Sequence, residues 1–128
     1  GRAPTVFGDG HQTRDFVYVR DIAQANVAAL QAQYQGVCNV ATGRRVDLLE
    51  LLKLLGQAFG QTPQPEFAPA RPGDIKHSCG SPRRLAEELE FTPRHPLREG
   101  LADLVANWSL ESAPGRKPAR QPVAALTE

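Results

Sequence analysis

The sequence predicts an α/β fold, because short stretches of strand type alternate with longer stretches of helical period. Two observations carry that reading. Leu48, Leu51, Leu52, Leu55 and Phe59 recur at helical spacing between a capping-box pattern, Asp47 with Glu50, and a stopping glycine, Gly60. Thr5–Phe7, Val37–Ala41 and Glu66–Ala68 are brief runs suited to strands, set off by glycines and prolines.

The elements follow in order. Thr5–Phe7 leads into Gly8-Asp9-Gly10, a turn whose two glycines tolerate positive φ and leave room for a ligand to approach the backbone. Phe16–Val19 is rich in β-branched and aromatic residues and reads as a second extended stretch. Asp21 then reads as the N-cap of a helix from Ile22 to about Gln33, with Ile22, Ala25, Ala29 and Leu30 as its apolar stripe. After Gly36, Val37–Ala41 reads as a strand that ends at Thr42-Gly43. The leucine-rich helix is core. Pro63 and Pro65 mark a turn before Glu66–Ala68, and Pro72-Gly73 makes a loop of Arg71–Asp74. Ser81-Pro82 opens a short helix to about Leu89. Leu97, Leu101, Leu104, Val105 and Trp108 stripe a last helix, with Trp108 expected as a core anchor. From Ser112 onward, Pro114, Pro118 and Pro122 sit among Ala, Arg and Gly without apolar period, so residues 112–128 are expected to be a disordered tail and 1–111 the folded unit.

Composition narrows the function. A chain of 128 residues can form one domain with a modest core, and its 15 basic residues are offset by 14 acidic ones, so any anion site is local. Nucleic acid is not an expected partner. Arg116, Lys117 and Arg120 fit a solvated tail. No stretch approaches the roughly 18 apolar residues of a membrane span and no signal segment opens the chain, so a soluble, cytoplasmic protein without a membrane partner is expected. Cys38 and Cys79 form no CxxC and are read as reduced thiols. His11, His77 and His95 share no metal-ligand spacing, so no metal and no histidine base are expected. The sequence has no methionine and opens on Gly1, which reads as part of a longer chain.

The run from Val6 to Ala23 joins the glycine turn to Arg14 and a helix start, which suits a phosphate. The Arg14 guanidinium can grip a phosphate bidentately. The same residues also fit a β-turn with a surface ion pair. Arg71 sits in Ala70-Arg71-Pro72-Gly73-Asp74-Ile75, either as a second anion contact or as a surface arginine in a proline loop. Asp74 fits a ribose hydroxyl or the cap of its own turn. Asp15 reads as structural, a partner for the neighbouring loop or for an arginine.

Three motifs in this order, Gly8-Asp9-Gly10 with Gln12-Thr13-Arg14-Asp15-Phe16, then Asn39-Val40-Ala41-Thr42-Gly43, then Arg71-Pro72-Gly73-Asp74, resemble the C-terminal half of the NAD-dependent epimerase/dehydratase family. The resemblance is strongest to the UDP-glucose 4-epimerase type of these extended short-chain dehydrogenase/reductases and covers about residues 1 to 110. It implies the C-terminal substrate-binding lobe of an extended Rossmann-type enzyme, without the N-terminal dinucleotide-binding half. It further implies a UDP-sugar or related nucleotide-sugar as ligand. The backbone of Thr5, Val6 and Phe7 would meet the uracil, Arg14 and Arg71 the diphosphate, and Asp74 the nucleotide. The chain departs from the family at Ser78-Cys79-Gly80-Ser81 and at Val46-Asp47, away from the inferred diphosphate contacts.

The family's chemistry rests on NAD bound at Gly-x-x-Gly-x-x-Gly and on a Tyr-x-x-x-Lys pair. Neither is present, since Ile22 follows four places after Tyr18 and Cys38 four places after Tyr34. The expectation is no catalytic residue here, NAD in the parent enzyme and none on this chain alone. The alternatives are a lobe of a nucleotide-sugar decarboxylase or 4,6-dehydratase, or a stand-alone binding or vestigial module. An unpaired strand edge and uncovered helix faces would favour marginal stability or a homo-oligomer.

Overall fold

The computed structural model describes residues 3–111, and the expected tail at 112–128 lies outside the described residues. The elements are β1 (Thr5–Phe7), β2 (Thr13–Arg14), α1 (Val19–Gln31), β3 (Val46–Asp47), α2 (Leu48–Phe59), β4 (Glu66–Ala68), α3 (Arg83–Leu89) and α4 (Leu97–Glu111). β1 pairs in parallel with β4, Thr5 opposite Glu66 and Phe7 opposite Ala68. β2 pairs antiparallel with β3, Thr13 opposite Asp47 and Arg14 opposite Val46. Helix α2 packs on α4 and α1 on α3.

Helix α2 forms where its capping pattern and leucine period place it. The Asp47 side chain accepts from the Glu50 N–H at 2.7 Å, and Gly60 closes the helix in the left-handed region at φ 65°. The strands β1 and β4, the 71–74 loop and the short helix after Pro82 also lie where the sequence puts them.

Four expectations are corrected. Phe16–Val19 is not a strand: pairing moves upstream to Thr13–Arg14, where β3 offers a partner, and Val19 already belongs to α1. Asp21 is not the N-cap. Tyr18 occupies that position in extended backbone without a side-chain cap, and Asp21 lies fully buried within the first turn, spent on a tertiary contact. Val37–Ala41 forms no strand, because no described strand pairs with it in a ladder. It is instead held by packing, with Ala41 buried so tightly on Gly80 that a Cβ there would come within 2.5 Å of the Ala41 Cβ. Trp108 is 63% exposed rather than a core anchor, as are Leu30 of the expected α1 stripe at 87% and Leu104 of α4 at 56%.

The core is small: Val6, Ala25, Ala41, Leu85 and Leu101 are its buried apolar residues among those described. Val19, Val27 and Leu30 of α1 and the following Val37 stand largely in solvent. No described helix is long and apolar enough to cross a membrane.

Candidate functional site

The sequence from Phe7 to Asp15 builds the site from two glycine bends and a four-residue stitch. Gly8 and Gly10 take φ 79° and 78°, which turn the chain sharply off the end of β1. The Gly8 N–H donates to the Ala68 carbonyl at 2.9 Å, extending the β1–β4 pairing into the turn. Gln12 Nε2 donates to the Phe7 carbonyl at 2.9 Å and closes the turn from inside. The Thr13 N–H then donates to the Lys76 carbonyl at 2.8 Å and the Ser78 N–H to the Thr13 carbonyl at 3.1 Å. The Arg-Pro-Gly-Asp loop is thereby pulled against the glycine turn.

Between them lies an open cleft of about 180 Å³, lined by Phe7, Gly8, Asp9, Gln12, Arg71, Asp74 and Lys76 among others. Arg71 and Asp74 stand on one wall and Phe7 on the other. The Arg71 guanidinium lies over the Phe7 ring, 3.7 Å from its centre, a cation–π contact that leaves the guanidinium edges free to donate. Arg14 reaches the same cleft through Asp74, with its Nη2 3.6 Å from an Asp74 oxygen, while its Nη1 donates to the Thr13 carbonyl at 2.8 Å. Lys76 sits 3.5 Å from Asp9. Asp9 is held below the usual carboxylate range chiefly by the His11 N–H it accepts from. Three cations thus face two carboxylates.

The structure brings Phe7, Arg14, Arg71 and Asp74 together. Thr5 is exposed farther along β1 and Val6 is buried beside it, and neither lines the cleft. Sequence reasoning did not single out Asp9, Gln12, Ala70, Ile75 and Lys76 as lining residues, nor the ring of Phe7 as a seat for Arg71. Gln12 stands inside the quoted motif and Lys76 two places after Asp74, so position alone was their available signal.

Asp15 lies behind the cleft. It accepts from the Thr42 N–H at 3.0 Å, the Thr42 hydroxyl, the Gly43 N–H at 2.9 Å and the Gly80 N–H at 3.3 Å. Burial pushes its carboxyl up, and these donors outweigh burial and hold it below the ordinary value. Farther off, buried Asp21 accepts from the His95 N–H at 3.1 Å and faces His95 Nδ1 at 2.7 Å. Burial again opposes ionisation, and the His95 ring and the backbone donors of His95 and Arg94 overcome it.

A family model described as GDP-mannose 4,6 dehydratase matches residues 1–104. The chain belongs to the NAD-dependent epimerase/dehydratase family, as a C-terminal portion of it. The UDP-glucose 4-epimerase of Mycolicibacterium smegmatis is 39% identical over 82% of this chain and 34% of the relative. UDP-glucuronic acid decarboxylase 1 of Arabidopsis thaliana is 31% identical over 81% of this chain and 24% of its own length. Among solved structures, UDP-glucose 4-epimerase of Thermotoga maritima with UDP-glucose superposes with a TM-score of 0.81 at 34% identity, covering 85% of this chain and 35% of that one. The Thermus thermophilus UDP-glucose 4-epimerase complex with NAD gives 0.73 at 34% identity, over 84% of this chain and 34% of that one. The chain therefore spans about a third of the length of these epimerases, and its fold is that of their extended short-chain dehydrogenase/reductase class.

Among the described residues, the Gly8–Gly10 turn does not have the geometry of a dinucleotide fingerprint. The dinucleotide fingerprint needs a strand, a glycine turn and then a helix N-terminus aimed at the pyrophosphate. The Gly8–Gly10 turn leads into strand β2 instead.

Proposed function

We propose that this chain is the nucleotide-sugar-binding lobe of an NAD-dependent UDP-sugar 4-epimerase, and that its cleft grips the diphosphate between Arg14 and Arg71. The reading is carried by Phe7, Arg71 and Asp74 lining one cleft, with Arg14 paired to Asp74. The magnitudes allow the exchange it requires. The Arg14–Asp74 pair is long and partly exposed, so it contributes about 0 to 1 kcal/mol. A charge-assisted hydrogen bond to a phosphate oxygen contributes about 1.5 to 3 kcal/mol net, so a diphosphate displaces Asp74 from Arg14. The freed Asp74 is then an acceptor for a ribose hydroxyl, and the backbone of Thr5, Val6 and Phe7 faces the base.

A cleft of about 180 Å³ is smaller than the roughly 300 to 1,000 Å³ of a small-molecule pocket, so it holds part of the ligand. The sugar and the nicotinamide belong to the other part of such an enzyme, and the uncovered Val19, Val27, Leu30 and Val37 supply an apolar face for it. No catalytic residue is assigned to this chain. UDP-glucose 4-epimerases recur among the relatives, at 39%, 31% and 30% identity, which supports epimerisation, with the decarboxylase at 31% as the alternative.

Calorimetric titration of the full-length enzyme with UDP tests the assignment. Arg14→Ala and Arg71→Ala should each weaken binding about tenfold to a hundredfold with unchanged melting temperature. Wild-type affinity in both folded variants removes the diphosphate from this cleft.

A further inference from the structure

We propose that the chain carries a second anion site, separate from the Phe7–Arg71 cleft, which takes a small phosphorylated anion. A cavity of about 280 Å³ opens between the loop after Thr42, helix α2 and the start of α4. Arg44, Arg45 and Arg98 line it with His95, whose ring faces the buried Asp21, and Glu50 is the one carboxylate among the lining residues. It shares no residue with the cleft.

The arginines here differ from their neighbours. Arg14, Arg20 and Arg83 each face a carboxylate, whereas among the described residues no ion pair or side-chain hydrogen bond engages the guanidiniums of Arg44, Arg45 or Arg98. Three like charges around one cavity repel each other, and a single glutamate offsets only one of them. A phosphate monoester carries about −1.5 to −2 at neutral pH, which matches the excess that Glu50 leaves. Guanidinium forks fit phosphate oxygens bidentately, so each arginine supplies directed donors as well as charge. The floor is apolar, built from half-buried Phe16, Val46 and Leu54, which lowers the local dielectric and strengthens the attraction. At about 280 Å³ the cavity admits a pyrophosphate or a small phosphate ester and not a whole nucleotide-sugar.

The test is calorimetric titration of the full chain with pyrophosphate in an Arg14→Ala, Arg71→Ala background, which removes both arginine contacts proposed for the cleft. Saturable binding is expected to persist there and to weaken tenfold or more on adding Arg44→Ala, Arg45→Ala and Arg98→Ala together. All three side chains are exposed, so circular dichroism should show an unchanged fold. A Glu50→Gln variant, which removes the opposing charge, should tighten binding at least twofold. Absence of saturable heat in the Arg14→Ala, Arg71→Ala background, or retention of full affinity in the combined variant, overturns the proposal. Displacement of pyrophosphate by duplex DNA with a steep salt dependence also overturns it, since the occupant would then be nucleic acid. UDP affinity measured on the same proteins reports the first cleft independently.

Discussion

Replacing Asp15 with alanine should loosen the whole back of the cleft. Its carboxylate collects three backbone N–H groups, those of Thr42, Gly43 and Gly80 at 3.0, 2.9 and 3.3 Å, and the Thr42 hydroxyl. A hydrogen bond to a charged group contributes about 1.5 to 3 kcal/mol, and partial exposure of the loop argues for the lower figure because the freed amides rehydrate. Counting only the two shorter amide bonds gives a loss of about 3 kcal/mol for Asp15→Ala. Asp15→Asn keeps one acceptor oxygen and should lose about half of that. Urea unfolding followed by far-UV circular dichroism reads both values from the midpoint at constant slope. A loss below about 0.5 kcal/mol for Asp15→Ala, the level of an ordinary surface change, would refute the view that this residue ties the three loops together.

Stability should also fall in acid. Asp15 and Asp21 both ionise below their ordinary value of 3.8 in the folded chain, so their contribution is complete above about pH 5 and is lost as pH drops through the lowered folded values. The urea midpoint should hold between pH 7 and 5 and decrease toward pH 3, and an unchanged midpoint at pH 3 contradicts the assignment. Asp21→Asn should flatten part of that slope. Gly56→Ala sets two effects against each other: helix propensity gains about 1 kcal/mol, while the new Cβ would meet the Pro63 ring at 2.4 Å and the Gln61 carbonyl at 2.6 Å. Neither partner yields easily, and overpacking of about 1 to 3 kcal/mol wins, so a lowered melting temperature is expected and a raised one would show that the turn after α2 gives way.

The elements legible in the sequence were those that depend on neighbours along the chain. Helix α2 needs only its leucine period, Asp47 and Gly60, and all three act within a few residues. The Gly8 and Gly10 bends need only their missing Cβ atoms. What failed depends on residues far away. Asp21 has the chemistry of a cap, but His95 lies 74 positions on and engages its carboxylate at 2.7 Å, which no local pattern announces. Val37–Ala41 has a strand's composition, and a strand also requires a neighbour. Trp108 has the size of a core anchor, but the described residues bury only five apolar side chains. In the site, resemblance supplied Arg14, Arg71 and Asp74. It did not supply the Arg14–Asp74 ion pair or the Arg71–Phe7 stack, because both cross between loops separated by about sixty residues.

With so small a core, the cleft is held in shape by polar stitching. Two-stranded pairs of two or three residues are marginal by themselves, so β1–β4 and β2–β3 do not fix the loops alone. Gln12-Thr13-Arg14-Asp15 makes up the difference by giving alternate residues to opposite sides. Gln12 and Arg14 turn toward the cleft, to the Phe7 carbonyl and to Asp74. Thr13 and Asp15 turn away from it, to His77 and to the Thr42, Gly43 and Gly80 amides. That is the period of an extended chain, in which successive side chains leave opposite faces. The arginine proposed to grip the ligand and the aspartate that anchors its backbone are therefore adjacent in sequence for a geometric reason. One faces the cleft only because the next is fastened behind it.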